Sequence, residues 1–203
     1  MAASGPLTAN SLTALAGELG ALAPSCGPVR LVAVDGHAGS GKTTFAARLA
    51  AALGGAPVVH LDDLATHEEL FGWTHRLREQ VIAPLAAGRE ARHGVYDWTL
   101  RRFAGTAVVP PAPVVLVEGV GAGRRAVRPW LARVIWMELD AASARRRGEL
   151  RDGPELADFW AGWARAESAH FAADPSRPYA ATRVDGVTGR IAPCTVGEPS
   201  TTP

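Results

Sequence analysis

The feature that most constrains this chain is the octapeptide at residues 36–43, Gly-His-Ala-Gly-Ser-Gly-Lys-Thr, which fits the pattern G-x-x-x-x-G-K-[ST]. A continuous apolar run at residues 29–35 precedes it, and residues 42–53 place Phe45, Leu49 and Leu53 on one face of a predicted helix. A glycine-rich turn between a buried strand and a helix directs several backbone N–H groups at one point. The octapeptide therefore predicts a site for the phosphates of a nucleotide.

Lys42 is the only lysine in the chain, and every other cationic side chain apart from histidine is arginine. An ammonium on a flexible stem can reach between phosphates, whereas the planar guanidinium of arginine has a different shape. We expect Lys42 to bridge the β- and γ-phosphates and the Thr43 hydroxyl to bind Mg²⁺. The predicted nucleotide-binding residues are Gly36, Gly39, Ser40, Gly41, Lys42, Thr43 and Thr44.

The composition is that of one globular domain: 203 residues, 47% of them apolar, with a net charge of +1 and both signs interspersed. This balance predicts neither a nucleic-acid nor a membrane partner, and we find no secretory signal or long apolar segment. Cys26 and Cys194 lie far apart and are expected to be reduced thiols. The chain therefore has the character of a cytoplasmic enzyme.

Further apolar segments at residues 57–61, 114–118, 134–139 and 180–184 predict four more strands, and helical patterns cover residues 73–87, 141–151 and 154–173. This alternation predicts an α/β fold with a five-stranded parallel sheet and helices on both faces. Residues 94–100 indicate only a short strand or turn. We divide the chain into an N-terminal helical extension (1–28), a core domain (29–186) and a C-terminal tail (187–203).

Acidic residues follow several predicted strands, where ligands of open α/β sheets bind. Asp35, Asp62, Asp63 and Glu118 all lie at such positions and should converge. Glu118 could hold Mg²⁺ together with Thr43, or simply face solvent. Asp62 could accept a proton from an attacking hydroxyl. For Asp62 and Asp63 the alternative is an ordinary loop or helix-capping carboxylate.

Two other segments are candidates for binding. Arg147 and Arg151 share a face of the predicted helix at 141–151 and could neutralise charge on a transferred phosphoryl group, although a solvated helix face is the alternative. Tyr96-Asp97-Trp98 offers aromatic surface beside a carboxylate, which could hold a polar ring or sugar, or belong to the core. We interpret Trp160 and Trp163 as packing residues, His37 as merely tolerated in the loop, and His60 as buried.

The order of the motifs D-G-x-x-G-S-G-K-T-T, L-D-D-L, Y-D-W, V-E-G-V and R-R-R-x-x-x-R-D resembles the uridine kinase branch of the P-loop kinases, near phosphoribulokinase and pantothenate kinase. The resemblance covers residues 31–186 and implies a nucleoside-monophosphate-kinase-like core with an arginine-bearing lid. It implies Asp62 as catalytic base, Tyr96 and Asp97 as a substrate-side pair, and Glu118 as the acid of the family's E-G dipeptide. The lid residues that it implies are Arg147, Arg151 and Asp152. The predicted catalytic residues are thus Lys42, Asp62, Arg147 and Arg151, and the predicted acceptor-binding residues Asp63, Tyr96, Asp97 and Glu118.

The function predicted from this combination is ATP- and Mg²⁺-dependent phosphoryl transfer to a hydroxyl of a small molecule. A nucleoside such as uridine or cytidine is the leading acceptor. Two departures from the family pattern leave another hydroxylated metabolite open, such as a pantothenate-like, sugar or antibiotic-like compound: Leu64 leads into Ala65 where the family has an aromatic residue, and the lid segment is short. A nucleotide switch or ATPase without an acceptor is a further alternative, and the oligomeric state, a homodimer included, stays open.

Overall fold

The computed structural model describes residues 9–194, which form a six-stranded sheet and a separate two-stranded hairpin. The strands are β1 (Arg30–Asp35), β2 (Val58–His60), β3 (Ala91–Asp97), β4 (Arg102–Val109), β5 (Val114–Glu118), β6 (Leu131–Glu138), β7 (Thr182–Asp185) and β8 (Ile191–Pro193). The order in the large sheet is β2-β5-β1-β6-β7-β8. The first five strands in that order are parallel, which confirms the predicted five-stranded parallel sheet.

Strand β8 lies within the predicted C-terminal tail and pairs antiparallel with β7 at the edge of the sheet. Asp185 stabilises the connecting turn, because its Oδ1 accepts the N–H groups of Val187 (2.9 Å) and Thr188 (2.7 Å). Strand β8 could not be predicted from the sequence, because Ile191 is its one large apolar residue and it shows no alternating pattern. The pairing with β7 identifies it as a strand. The domain boundary at residue 186 stays a prediction, and residues 195–203 of the predicted tail lie outside the described residues.

The helices are α1 (Ala9–Ala21), α2 (Lys42–Ala52), α3 (Thr74–Leu77), α4 (Ala83–Ala86), α5 (Ala141–Asp152) and α6 (Ala157–Ala173). A π-helical turn at Arg78–Ile82 joins α3 to α4, so residues 74–86 form the helical segment expected there. Pro84 lacks the N–H that regular α-helical bonding would need at this point. Within residues 9–194, no helix combines the length and apolarity needed to cross a membrane.

Alternate residues of β1 face opposite layers of the core, as expected of a strand covered on both sides. Leu31 and Ala33 belong to the cluster that includes residues of α3 and α4. Val32 and Val34 belong to the other cluster, together with buried residues of α1 and α2: Leu12, Leu15, Leu19, Phe45 and Leu49. Helices therefore cover both faces of the sheet, and α1 contributes to the same core as the phosphate-binding helix α2.

The hairpin of β3 and β4 is larger than the short strand or turn expected at residues 94–100, and it spans residues 91–109. Strand β4 could not be predicted from the hydrophobic pattern of the sequence, because most of its residues are exposed. It therefore lacks the alternation of apolar and polar residues that identifies a half-buried strand. Asp97 Oδ1 closes the turn by accepting the N–H groups of Thr99 (2.9 Å) and Leu100 (2.7 Å). Trp98 Nε1 donates to the carbonyl oxygen of Asp62 at 3.2 Å and so ties the hairpin to the segment after β2.

Candidate active site

Asp35, the last residue of β1, holds the start of the glycine-rich loop in place. Its fully buried carboxylate accepts N–H groups from Gly36 (2.7 Å), Gly121 (2.8 Å) and Gly123 (2.9 Å). These bonds fasten the loop after β5 to the loop after β1. Asp35 does lie at the predicted edge of the sheet, but its oxygens are engaged in supporting the two loops.

The loop at residues 36–43 requires glycine at defined points. Gly39 has φ +86°, and a Cβ there would stand 2.1 Å from the carbonyl oxygen of Ala144 in α5. Gly41 has φ +95° and precedes the first turn of α2, and the place of its missing Cβ is open. The backbone of the loop therefore packs directly against the backbone of α5 at Gly39, while the start of α2 stays accessible to a ligand.

Lys42, Thr43 and Glu118 come together where α2 starts. Lys42 is buried, and its Nζ donates to the carbonyl oxygen of His37 at 2.9 Å. Thr43 Oγ1 donates to Glu118 Oε1 at 3.1 Å, and His60 Nδ1 lies 2.6 Å from the same oxygen. The hydrogen bond to Glu118 raises the pKa of His60, although burial opposes it. Contrary to the sequence interpretation, His60 is thus a half-exposed partner of Glu118, with 43% of its side chain exposed.

The pairing of a hydroxyl and a carboxylate fits the predicted Mg²⁺ ligands, since Mg²⁺ prefers oxygen donors and commonly takes only one or two from a protein. Across residues 9–194, no cluster of three or more His, Cys, Asp or Glu residues offers a complete metal site. An ion held by Thr43 and Glu118 would therefore take its remaining ligands from phosphate oxygens and water.

A cavity of about 260 Å³ contains most of the predicted donor-side and catalytic residues. Its wall includes Gly39, Gly41, Lys42, Thr43, Thr44, Asp62, Glu118, Arg147 and Arg151. We refer to it as the phosphate cavity. Residues from the β1–α2 loop, the segment after β2, the end of β5 and α5 thus meet in one place. Of the four acids expected to converge, Asp62 and Glu118 line this cavity.

Asp62 lies in the 3₁₀ turn Leu61–Asp63 that follows β2. The residue is solvent-exposed and faces the phosphate cavity. The protein atoms packed around its carboxylate raise the pKa of Asp62 by desolvation, while the charge of Lys42 opposes that effect. A carboxylate with a raised pKa and a nearby cation is suited to accept a proton from a hydroxyl.

The two predicted lid arginines lie on α5 and reach the phosphate cavity. Arg147 donates to the carbonyl oxygen of Gly186 at 2.7 Å. Arg151 pairs with Asp152, with Nε 2.5 Å from Oδ1 and one terminal nitrogen 2.9 Å from Oδ2. Asp152 also accepts the indole N–H of Trp160 at 3.1 Å. Arg151 is therefore held at the edge of the cavity by a neighbouring carboxylate.

A second cavity, of about 420 Å³, lies between the hairpin turn, the end of α5 and α6, and we refer to it as the aromatic cavity. Its large apolar lining residues are Trp98, Leu156, Phe159, Trp160 and Trp163, and its polar ones are Asp62, His67, Thr99, Arg151 and Asp152. Ala38, Asp62, Arg151 and Trp163 also line the phosphate cavity. The two cavities therefore meet at Asp62 and Arg151.

A third cavity, of about 290 Å³, flanks the other side of the glycine-rich loop. It is lined by residues of α2, including Arg48, and by the turn between β7 and β8. It shares Gly41 and Thr44 with the phosphate cavity. The three cavities thus follow one another, with the phosphate cavity in the middle.

Three of the solved structures that the chain resembles are described as kinases. The chain resembles a protein described as a possible uridine kinase from Bacillus stearothermophilus, with a TM-score of 0.54 and 18% identity over 74% of this chain and 90% of the other. It also resembles D-glycerate 3-kinase from Cryptococcus neoformans var. grubii, with a TM-score of 0.53 and 13% identity over 92% and 96% of the two chains. The chain has the P-loop kinase fold.

A further structure of similar architecture is that of a protein assigned as a fructose transport system kinase from Silicibacter sp. TM1040, with a TM-score of 0.50 and 22% identity over 83% of this chain and 91% of the other. No protein-family model matches the sequence, and a search of curated proteins finds no match. At these identities the likeness shows the fold, including the parallel sheet and the helices that the motifs predicted.

Three residues predicted to bind the acceptor, Asp63, Tyr96 and Asp97, do not line the phosphate cavity or the aromatic cavity. Tyr96 is buried, and its hydroxyl lies 3.0 Å from Nδ1 of His67, which does line the aromatic cavity. The Asp97 carboxylate closes the hairpin turn. Burial raises the pKa of Asp63, with His60 and His93 opposing. Their contact with an acceptor remains a prediction, whereas Glu118 lies on the wall of the phosphate cavity.

The sequence interpretation missed several residues of the aromatic cavity. Trp160 and Trp163 are buried, as expected of packing residues, yet both also line this cavity. His67 and Phe159 were not singled out at all. Aromatic residues at 159, 160 and 163 fall on neighbouring positions of α6 and were the available signal, but a core stripe has the same spacing.

Proposed function

We propose that the chain is an ATP- and Mg²⁺-dependent phosphotransferase that moves the γ-phosphate to a hydroxyl of a small molecule. The observation that carries this proposal is the junction at Asp62 and Arg151, where a glycine-rich phosphate cavity meets an aromatic one. A triphosphate bound by the loop would direct its terminal group toward this junction. The third cavity, beyond Gly41 and Thr44, is suited to the nucleoside of the donor.

Each residue around the junction has a role that its position supports. Asp62 orients the acceptor hydroxyl and takes its proton as the new P–O bond forms and the bond to the leaving diphosphate breaks. Lys42, Arg147 and Arg151 stabilise the negative charge on the phosphoryl oxygens. Thr43 and Glu118 would hold Mg²⁺, which neutralises charge on the donor phosphates when bound.

The aromatic cavity favours an uncharged acceptor with a flat ring, and a nucleoside such as uridine or cytidine is our leading candidate. Trp98 and Phe159 provide apolar ring surface, and aromatic stacking on a base contributes about 1–3 kcal/mol. The arginine on the wall, Arg151, already pairs with Asp152, and this leaves little attraction for a carboxylate-bearing acceptor. Sugars, pantothenate-like compounds and antibiotic-like natural products are the alternative acceptors.

An ADP-release screen with ATP and Mg²⁺ tests the proposal. The acceptors are uridine, cytidine, pantothenate, glycerate, fructose and an aminoglycoside, each assayed with the wild-type chain and with Asp62→Asn. We expect the nucleosides to raise ADP release most and Asp62→Asn to abolish the increase. If neither nucleoside raises ADP release but another compound does, that compound becomes the acceptor and the nucleoside assignment is wrong. ATP turnover that no acceptor raises and that Asp62→Asn spares would instead indicate an ATPase or switch.

A further inference from the structure

Glu167 of α6 forms a buried contact with the first residues of the glycine-rich loop. Its Oε1 accepts the N–H of Ala38 at 2.7 Å, and its Oε2 lies 3.0 Å from His37 Nδ1. Only 10% of the Glu167 side chain is exposed. The His37 ring is packed edge-on against Phe171, with 5.1 Å between ring centroids. His37 is therefore not merely tolerated in the loop, because it joins the loop to α6.

The Glu167 carboxylate is ionised at neutral pH. Burial alone would raise its pKa, but the hydrogen bonds from His37 and from the Ala38 N–H outweigh burial and lower the pKa. An anion beside a phosphate-binding loop opposes the binding of a triphosphate. The favourable contribution of Glu167 must therefore come from the loop geometry that it stabilises.

Ala38 occupies a position where small displacements matter. It lines both the phosphate cavity and the aromatic cavity, so it stands beside the path from donor to acceptor. The helix that holds it, α6, also carries Trp160 and Trp163 on the wall of the aromatic cavity. Phosphoryl transfer depends on alignment of the reacting groups, and a displacement of about 1 Å can reduce the rate about 100-fold.

We propose that Glu167 is a positioning residue for phosphoryl transfer, which fixes His37 and Ala38 at the junction of the two cavities and couples the loop to the acceptor-lining helix α6. The inference rests on the proposed kinase function and adds to it a residue in none of the motifs. Glu167 acts through the loop and need not touch either substrate.

The test compares Glu167→Ala and Glu167→Gln with a matched control, Asp158→Ala, which removes an exposed carboxylate from the same helix. We expect Glu167→Ala to lower kcat by about 10–100-fold and to leave the KM for ATP unchanged or lower, because the loop is misplaced while an opposing charge is lost. Glu167→Gln should recover kcat to within a few-fold of wild type, since its amide oxygen can accept from Ala38 and its amide N–H can donate to His37. Asp158→Ala should match wild type.

Assays are run well below the melting temperature of each variant, so that loss of folded protein does not mimic the effect. A kcat for Glu167→Ala within three-fold of wild type would overturn the inference, as would equal losses in the alanine and glutamine variants. A rise in the KM for ATP with unchanged kcat would also overturn it. If the wild-type chain itself shows no acceptor-dependent turnover, the proposed function fails and the inference fails with it, which is a distinct result.

Discussion

The two sides of the junction, which we assign to the donor and to the acceptor, are built in different ways. The donor side is one run of eight residues whose backbone conformation, with positive φ at Gly39 and Gly41, creates the site. The acceptor side assembles single side chains from separate segments: His67 after β2, Trp98 in the hairpin turn, Asp152 at the end of α5 and Phe159 in α6. Changes to the donor side should therefore abolish all chemistry, whereas changes to the acceptor side should alter affinity and selectivity.

The largest expected effect comes from removing the donor-side cation. Lys42→Ala should lower kcat/KM by about 10³-fold for every acceptor alike, because the phosphate cavity loses the ammonium that we assign to the phosphates. Lys42→Arg is the matched variant, and we expect it to remain strongly impaired because a planar fork cannot reproduce the contact. Steady-state ADP release and ATP binding measure both. Normal ATP affinity and turnover in Lys42→Ala would show that the loop is not the phosphate site.

The next effect is at the junction itself. Asp62→Asn should lower acceptor-dependent turnover by about 10²-fold while ATP binding persists, because the amide cannot take a proton. Since burial raises the pKa of Asp62, wild-type activity should fall with decreasing pH at a higher pH than the ordinary aspartate pKa would give. Turnover measured against pH under saturating ATP checks this. An acid limb that survives in Asp62→Asn would belong to another group.

The same pKa shift has an opposite consequence for stability. The folded state binds the Asp62 proton more tightly than the unfolded state does, so this contribution is present at low pH and is lost as pH rises through the folded-state pKa. Asp62→Asn removes a negative charge that the surrounding protein disfavours, and its melting temperature at pH 7 should exceed that of wild type. A lower melting temperature would mean that the charge of Lys42 compensates Asp62 fully in the folded chain.

On the acceptor side we expect a smaller and more selective change. Phe159→Ala should raise the KM for the acceptor by about 10-fold through loss of ring contact and leave the KM for ATP unchanged. Leu150→Ala is the control, because this side chain is 85% exposed on the neighbouring helix α5. An equal rise in both KM values would contradict the separation of the two sides.

The smallest effect is expected at Asp97. Asp97→Ala should lower the free energy of unfolding by about 1 kcal/mol through loss of the two turn hydrogen bonds, with the acceptor KM within about two-fold of wild type. Denaturant unfolding and acceptor titrations measure the two quantities. A tenfold rise in the acceptor KM would instead support the acceptor contact implied by the family resemblance.

The strand, loop and helix of residues 30–52 could be predicted because the information that specifies them is local, and they lie within a few residues of their predicted bounds. Of the four acids expected to converge, Asp62 and Glu118 meet at the phosphate cavity, because parallel strands share an edge. His60 and His37 were interpreted wrongly because their partners, Glu118 and Glu167, lie 58 and 130 residues away. Pairs so far apart in the sequence are formed by the tertiary packing of the chain, which local sequence patterns do not show.

On the acceptor side, too, the sequence did not show which side chains line the cavity. Of the candidate motif Tyr96-Asp97-Trp98, only Trp98 lines the aromatic cavity, and the acceptor contact of the motif stays a prediction. Tyr96 supports His67 from behind, and Asp97 closes the turn. Strand β3 ends at Asp97, so Trp98 already lies in the turn, and strand alternation does not determine its direction.

The composition of the aromatic cavity also makes the chain a reporter of its own occupancy. Three of its six tryptophans, Trp98, Trp160 and Trp163, line that cavity. A ring bound in the cavity would shield the partly exposed Trp98 and contact the two buried indoles, and both changes alter indole emission. Intrinsic fluorescence should therefore register the acceptor in the native protein without a label, even when no phosphoryl transfer takes place.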